Sequence, residues 1–212
     1  MTEDYEQLMK LRPESLSPSD AAPTIDIKTA ALVASSYKQT VQSLYDESQT
    51  ALRHELLGRI HAMSFQFFER LIIDLLLAMG YGARRRDLSR SVGKSHDGGI
   101  DGIIAQDELG LEQIYVQAKR LRPGSVVAVS DVRNFAGSLE AAHANKGIFV
   151  TTGQFSPASL EFARAVTRRL VLMDGVQLTD MMIRHNLGVA TVETFQVKHL
   201  EAAYFAPQKL PV

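Results

Sequence analysis

The chain has 212 residues, 45% of them hydrophobic, and a formal net charge of −1 from 23 Lys and Arg against 24 Asp and Glu. That length suits one domain with a short appendage, and such a domain can bury a sizeable core. The absence of Cys excludes a disulfide scaffold, a thiolate zinc site and a Cys nucleophile. A net charge near zero argues against a protein that coats nucleic acid as histones do, but it does not exclude a local basic site.

Charge is unevenly distributed along the chain. Residues 1–60 contain six basic and nine acidic residues, whereas residues 81–125 contain eight basic and six acidic ones. The basic residues of this second region are Arg84, Arg85, Arg86, Arg90, Lys94, Lys119, Arg120 and Arg122. On charge alone, a solvated loop is a better interpretation of them than a phosphate-binding surface.

The sequence gives no indication of a membrane-bound or exported protein. No apolar run approaches the ~20 residues that span a bilayer. The start, Met-Thr-Glu-Asp-Tyr-Glu, is acidic and lacks the basic and apolar regions of a signal peptide. We therefore expect a cytoplasmic protein without a membrane partner.

The first part of the chain predicts a tail followed by two helices. Residues 1–27 contain three Pro and few apolar residues, which is typical of a flexible tail or linker. A helical pattern covers residues 29–60. Ser64 predicts the N-cap of the next helix, which should end at Gly80 and Gly82. The apolar stripe of that helix comprises Phe65, Phe68, Leu71, Ile72, Leu75, Leu76 and Met79.

The rest of the chain alternates short strands and helices. A short basic strand over residues 83–86 precedes two strands, at 103–105 and 114–119, that should form a hairpin around a turn at 107–110. Helices are then predicted at 130–142, from Ser156 onward with Leu160 buried, and at 178–184, and strands at 147–150, 171–173 and 189–197. This order predicts an α/β fold in which helices cover a mixed central sheet.

Four polar side chains should lie close together in such a fold. Gln117 and Lys119 are two residues apart on one strand, so they share a face, and Asp101 precedes the neighbouring strand. Glu69 lies near the start of the second helix. It is either a solvated carboxylate favoured by the helix dipole or a group that reaches the edge of the sheet.

These side chains fit metal-assisted hydrolysis of a phosphodiester. Mg²⁺ takes oxygen ligands, and one or two carboxylates suffice when phosphate and water complete the shell. The metal activates a bound water, while a nearby lysine orients that water or neutralises developing charge. The spacing alone also allows a turn carboxylate, an edge-strand amide and a lysine that discourages edge pairing.

Several motifs around these residues occur in an order that is typical of one family. They are Phe68-Glu69-Arg70-Leu71, Met79-Gly80-Tyr81-Gly82, Asp97-Gly98-Gly99-Ile100-Asp101-Gly102, Tyr115-Val116-Gln117-Ala118-Lys119-Arg120, Gly147-Ile148-Phe149-Val150-Thr151-Thr152, Phe155-Ser156 and Met173-Asp174-Gly175-Val176-Gln177-Leu178. Over about residues 50–205 the chain resembles the Mrr-like restriction endonuclease catalytic domain.

The resemblance implies a PD-(D/E)XK restriction-endonuclease-like fold and an active site. The implied catalytic residues are Asp101, Gln117, Lys119 and Glu69, and the implied ligands of Mg²⁺, or of Mn²⁺ in its place, are Asp101, Glu69 and Gln117. Gln117 takes the usual second acidic position, as it commonly does in Mrr-like domains. One local departure is His96, where the family more often has Gly. An incidental change is the favoured interpretation of His96, over a contact to phosphate.

The implied activity is that of a metal-dependent DNA endonuclease of Mrr (type IV restriction-like) type. Its partner would be double-stranded DNA, foreign or modified by methylation. Phosphate contacts then become the better interpretation of the flanking arginines, which are Arg84, Arg85, Arg86, Arg120 and Arg122. Cutting both strands takes two such sites, so we expect a homo-oligomer. The alternative is a catalytically silent DNA-binding module of the same fold.

The predicted organisation has three parts. Residues 1–45 form an N-terminal tail or helical linker, residues 46–205 the endonuclease domain and residues 206–212 a C-terminal tail. Residues 1–45 are too short and too polar for the winged-helix module that the family usually carries there. Within the domain, residues 151–156 are either a loop whose N–H groups hold a DNA phosphate or a plain capping loop.

Overall fold

The computed structural model of the chain describes residues 27–82, 90–91, 99–107 and 109–194, together with 196 and 198; the side chains of residues 27–35, 37, 90 and 91 are outside that description. The chain divides into two compact units, Met1–Thr50 and Ala51–Val212, and the division falls within the first helix. In the first unit, side chains one helical turn apart are bonded, as where Gln42 Nε2 donates to Asp46 Oδ1 at 3.0 Å. The fold described below is that of the second unit.

Two helices begin the described chain, α1 (Ile27–Ala62) and α2 (Phe65–Ala78). The predicted cap is confirmed, because the Ser64 hydroxyl accepts from the backbone N–H of Phe67 at 3.1 Å. α2 ends at Ala78 with Met79 as its C-cap, and Gly80 follows with a φ of +94°, as the sequence predicted. The residues that α2 buries are Phe68, Leu71, Ile72, Ile73, Leu75 and Leu76.

The described residues of the second unit form a five-stranded mixed sheet at its centre. The strands in chain order are β1 (Arg90–Ser91), β2 (Gly102–Ala105), β3 (Gln113–Lys119), β4 (Val126–Val127), β5 (Lys146–Thr151), β6 (Gln154–Phe155) and β7 (Arg169–Met173). The large sheet has the order β1-β2-β3-β5-β7, while β4 and β6 form a separate parallel pair. β2 is antiparallel to β1 and β3, whereas β5 is parallel to β3 and β7. The predicted hairpin and mixed sheet are therefore confirmed.

Helices cover both faces of this sheet. α3 (Val129–Ala141), α4 (Pro157–Ala165) and α5 (Gly175–Arg184) follow in chain order. Burial alternates along β3, so its two faces enter different cores. Ile114, Val116 and Ala118 pack with buried residues of α1, α2 and α5. On the other face, Tyr115 packs against a second core that includes Val132, Phe135 and Leu139 of α3 and Phe149 of β5. The rings of Phe135 and Phe149 meet edge to face with 5.6 Å between their centroids.

Three element predictions need correction. Ser130 was predicted to begin the third helix, but α3 begins one residue earlier, at Val129, with Ala128 as an N-cap that makes no side-chain hydrogen bond. Val132 and Phe135 of this helix are buried. Leu160 is 40% exposed, because α4 instead turns Ser159 inward, where its hydroxyl donates to the Val127 carbonyl at 3.0 Å.

The predicted strand at 189–197 is also wrong over residues 189–194, which form no strand. Asn186 and Gly188 adopt positive φ after α5 and turn the chain. Leu187 and Val189 then pack on the first core. Alternation of apolar residues specifies a face but supplies no pairing partner, and no described strand pairs with residues 189–194. The basic strand predicted at 83–86 lies outside the described residues.

Candidate active site

Asp101 is fixed against the middle of β3. Its backbone N–H donates to the Val116 carbonyl at 2.8 Å, which extends the β2–β3 ladder by one residue. The Asp101 side chain accepts the next hydrogen bond along β3, because the backbone N–H of Ala118 donates to Asp101 Oδ2 at 2.7 Å. A half-buried carboxylate is therefore held opposite Gln117 by two contacts to one strand.

Glu69 and Asp101 form a pair of carboxylates that are costly to charge together. Burial raises the pKa of Asp101, and the bond from the Ala118 N–H opposes that rise. The pKa of Glu69 is also raised, first by burial and then by the negative charge of Asp101. A cation between the two groups would favour the charged form of both. The structure thus brings together two carboxylates from α2 and the start of β2.

Gln117 supplies an oxygen without a partner. Its Oε1 is buried and accepts no hydrogen bond from the residues that the structure describes. Leaving a buried acceptor unbonded costs about 1–3 kcal/mol, so a ligand for this atom is expected. Gly99 lies beside the same amide with a φ of +90°, and a Cβ there would sit 3.2 Å from Gln117 Nε2.

The donor set fits a hard divalent cation. Within the described segments no three His, Cys, Asp or Glu residues are grouped as a metal site. The groups that could hold such a cation are the carboxylates of Asp101 and Glu69 and the amide oxygen of Gln117. All three are oxygen donors, and Mg²⁺ often takes only one or two protein carboxylates alongside water and phosphate.

Lys119 shares the half-buried face of β3 with Gln117, as the spacing predicted. Its Nζ lies 2.7 Å from Asp131 Oδ2 in the first turn of α3. The backbone at Lys119 is also held, because the Thr151 hydroxyl donates to the Lys119 carbonyl at 2.8 Å. The lysine is therefore bonded at its main chain and paired at its ammonium.

The sequence reasoning missed the contacts that hold this end of β3. Thr152 Oγ1 accepts from the Leu121 N–H at 2.8 Å and donates to the Leu121 carbonyl at 2.9 Å. In the loop that follows, Ser156 accepts from the Ser159 N–H and caps α4. These contacts favour the capping interpretation of residues 151–156. The available signal was a pair of threonines directly after a buried strand. The signal for Asp131 was weaker, because it is a single acidic residue near the predicted start of a helix.

The predicted DNA-binding arginines are only partly described. Arg120 donates from Nη1 to the carbonyl of His61 at 2.7 Å, near the end of α1. Arg122 is exposed, and its carbonyl accepts from the Ser125 N–H in a turn. The three arginines at 84–86 and His96 lie outside the described residues. A role in DNA binding stays a prediction for all of these arginines.

One cavity of about 450 Å³ lies away from these residues. It is lined by Asn145, Lys146, Thr167, Arg168 and Arg169, where β5 and β7 begin. Two of its cations are already paired, Lys146 with Glu112 at 2.7 Å and Arg168 with Glu140 at 3.7 Å. None of the four predicted catalytic residues lines this cavity.

Comparisons with known proteins identify the family of the chain. The family model for the Mrr catalytic domain, described as a restriction endonuclease, matches residues 60–182. The chain belongs to this restriction endonuclease family. The match includes α2, the hairpin and α3, and hence every residue of the candidate site. The fold is accordingly the mixed α/β fold of PD-(D/E)XK nucleases.

Individual relatives extend the comparison. The chain is 36% identical over 197 residues to the type IV methyl-directed restriction enzyme EcoKMrr of Escherichia coli (strain K12), covering 93% of this chain and 62% of the relative. The DNA modification-dependent restriction endonuclease AspBHI superposes with a TM-score of 0.50 at 20% identity, over 66% of this chain and 36% of that chain. A MspJI structure with a 27-mer oligonucleotide gives a TM-score of 0.37 at 24% identity, over 84% of this chain and 37% of that chain. Among the helices that the structure describes, none has the length and apolar character needed to cross a membrane.

Proposed function

We propose that this chain is a metal-dependent DNA endonuclease of Mrr type that hydrolyses phosphodiester bonds in modified double-stranded DNA. The family supports the endonuclease class. The modified substrate is proposed because a 36% identical relative is named as methyl-directed. The observation that carries the proposal is the buried Oε1 of Gln117, which accepts no hydrogen bond from the described residues. It lies on the strand that also holds Asp101, and the pKa values of Asp101 and its neighbour Glu69 are raised.

Each site residue has a defined task in this proposal. Asp101, Glu69 and Gln117 bind the cation, for which Mg²⁺ is the first candidate and Mn²⁺ the second. When bound, such a cation lowers the pKa of a coordinated water and neutralises charge on phosphate oxygens. Lys119 donates to the scissile phosphate or to the attacking water and stabilises the negative charge that develops there.

Two further parts of the proposal concern DNA and assembly. Arg122 is exposed beyond the end of β3 and would contact the phosphate backbone together with the remaining arginines. Cleavage of both strands requires two active sites, so we propose that the protein acts as a homodimer or a larger assembly.

Plasmid cleavage tests the proposal. Supercoiled plasmid, methylated or unmethylated, is incubated with purified protein in Mg²⁺, Mn²⁺ or EDTA, and nicked and linear products are quantified. We expect metal-dependent cleavage with a preference for methylated plasmid. Lys119→Ala should lower the rate by at least about 100-fold, since one donor to a developing oxyanion is worth that much.

Lys146→Ala is the matched control. Lys146 is also a strand lysine paired with a carboxylate at 2.7 Å, but it lies on β5 away from Asp101. Equal rates for wild type and Lys119→Ala would refute the assignment of the active site. Salt-sensitive DNA binding without nicking in either metal would instead favour the catalytically silent DNA-binding module.

A further inference from the structure

Asp131 and Lys119 form an ion pair at the edge of the candidate site. Lys119 Nζ lies 2.7 Å from Asp131 Oδ2, and their side chains are 35% and 31% exposed. Partial burial shields the pair from solvent, so it differs from the fully exposed pairs that contribute little to a structure. The partner carboxylate belongs to α3, and not to α2 or to the hairpin.

Both ends of this ion pair are anchored by rigid parts of the fold. On the lysine side, the carbonyl of Lys119 accepts from Thr151 Oγ1, and Lys119 pairs with Thr151 in the sheet. On the acid side, Asp131 precedes Val132, whose side chain is 0% exposed in the second core. The position of Asp131 Oδ2 is therefore set by the docking of α3 on the sheet.

A catalytic lysine must have its ammonium held in one position if it is to act on one atom of the substrate. Its ammonium is a compact charge on a flexible four-carbon stem, and holding that stem in one conformation costs rotamer entropy. A fixed carboxylate at hydrogen-bond distance selects one conformation before DNA arrives. Such preorganisation matters for the chemical step, since a displacement of about 1 Å in a catalytic group can cost 100-fold in rate.

We propose that Asp131 is a positioning residue that holds the Lys119 ammonium where it meets the scissile phosphate. This inference rests on the function proposed above. A second role is open to Asp131, because an acidic residue in the first turn of a helix also stabilises that helix through its dipole. The two roles predict different responses to substitution.

Removal of the Asp131 carboxylate should lower kcat and leave KM for DNA unchanged or reduced. We expect Asp131→Asn to lose about 10- to 100-fold in kcat for plasmid cleavage. On charge alone the same substitution removes a negative charge near a polyanion and strengthens DNA binding. A fall in kcat with an unchanged or smaller KM therefore cannot come from weaker DNA binding. Asp131→Glu, which keeps a carboxylate within reach of Lys119, should recover a measurable part of the rate.

Two controls separate positioning from helix stability and from net charge. Ser130 is exposed on the same helical turn, so the double variant Ser130→Asp with Asp131→Asn keeps an acidic residue there without the pairing geometry. It should stay as slow as Asp131→Asn alone. Glu112→Gln breaks the 2.7 Å pair with Lys146 and changes the net charge equally, and it should cleave as wild type does.

Lysine acylation provides a readout without cleavage. In metal-free protein, a lysine-selective acylating reagent followed by peptide mapping should label Lys119 several-fold faster in Asp131→Asn than in wild type, with Lys146 unchanged as internal reference. Unchanged labelling of Lys119, an unchanged kcat in Asp131→Asn, or recovery of the rate by the Ser130→Asp double variant would each overturn the inference alone. A wild-type protein that binds DNA but never cleaves it would overturn the proposed function, and this inference with it.

Discussion

A methyl group added at Gly99 should weaken the metal site specifically. Gly99 has a φ of +90°, and a Cβ there would lie 3.2 Å from Gln117 Nε2 and 3.7 Å from Oε1. The first distance is shorter than an ordinary van der Waals contact, so the amide must move by a few tenths of an ångström. Ligand distances in metal sites are held within about 0.2 Å. We therefore expect Gly99→Ala to raise the Mg²⁺ concentration needed for half-maximal cleavage about 10-fold, the lower end of what changes beside a metal ligand produce.

Gly80→Ala separates this effect from backbone strain. Gly80 has a φ of +94°, but a Cβ there would meet nothing within 4 Å. Both substitutions put an L-residue in a left-handed conformation at a cost of about 1–2 kcal/mol. For a domain of this size that cost lowers Tm by roughly 2–8 °C.

The assay is plasmid nicking across a Mg²⁺ titration, with thermal unfolding of both variants in EDTA. We expect similar losses in Tm and a shifted Mg²⁺ requirement for Gly99→Ala alone. The reasoning is refuted if both variants keep the wild-type Mg²⁺ requirement, or if Gly80→Ala shifts it as far as Gly99→Ala does.

Two more predictions concern the metal-free protein. Gln117→Met removes the buried Oε1, which accepts no hydrogen bond from the described residues. It should therefore raise the free energy of unfolding in EDTA by up to about 1–3 kcal/mol and abolish the stabilisation by Mg²⁺. A variant that is less stable than wild type in EDTA would contradict this prediction. Because the pKa values of Asp101 and Glu69 are raised, these groups contribute stability below their ordinary pKa values and lose that contribution as pH rises through the raised ones. Denaturant unfolding in EDTA should therefore show this loss of stability with rising pH in wild type and a smaller loss in Asp101→Asn. Over the same rise in pH, the rate of cleavage in Mg²⁺ should increase. Equal pH dependence of stability in both proteins would refute the raised pKa of Asp101.

The periodicity of apolar residues predicted those elements that are stabilised by contacts between residues close together in sequence. The apolar stripe and cap of α2, the hairpin and the strand at β5 follow from residues that lie close together in sequence. The resemblance of ordered motifs then identified the family, because those motifs cover most of the second unit. Of the four predicted site residues, three lie at the hairpin and the fourth, Glu69, lies on the helix before it. Their catalytic roles stay predictions.

The errors arose where long-range packing decides the structure. The phase of α4 follows from the Ser159 bond to Val127, which is 32 residues away, so its sequence alone could not show that Leu160 faces outward. The partner of Lys119 was missed for the same reason. Asp131 reaches it only because Val132 and Phe135 dock α3 on the sheet. Alternation at 189–197 predicted a strand, but none of the strands in the described part of the chain pairs with residues 189–194.

Binding of a cation by Asp101, Glu69 and Gln117 is the central claim, and anomalous scattering from Mn²⁺ tests it most directly. Crystals of the protein soaked in Mn²⁺ should show an anomalous peak within roughly 2.0–2.6 Å of Gln117 Oε1 and of a carboxylate oxygen of Asp101, the range for hard cations on oxygen ligands. Glu69 should contact the same ion directly or through one water. A peak elsewhere with this site empty, or an ion that leaves Gln117 Oε1 without a contact, would contradict the proposed site.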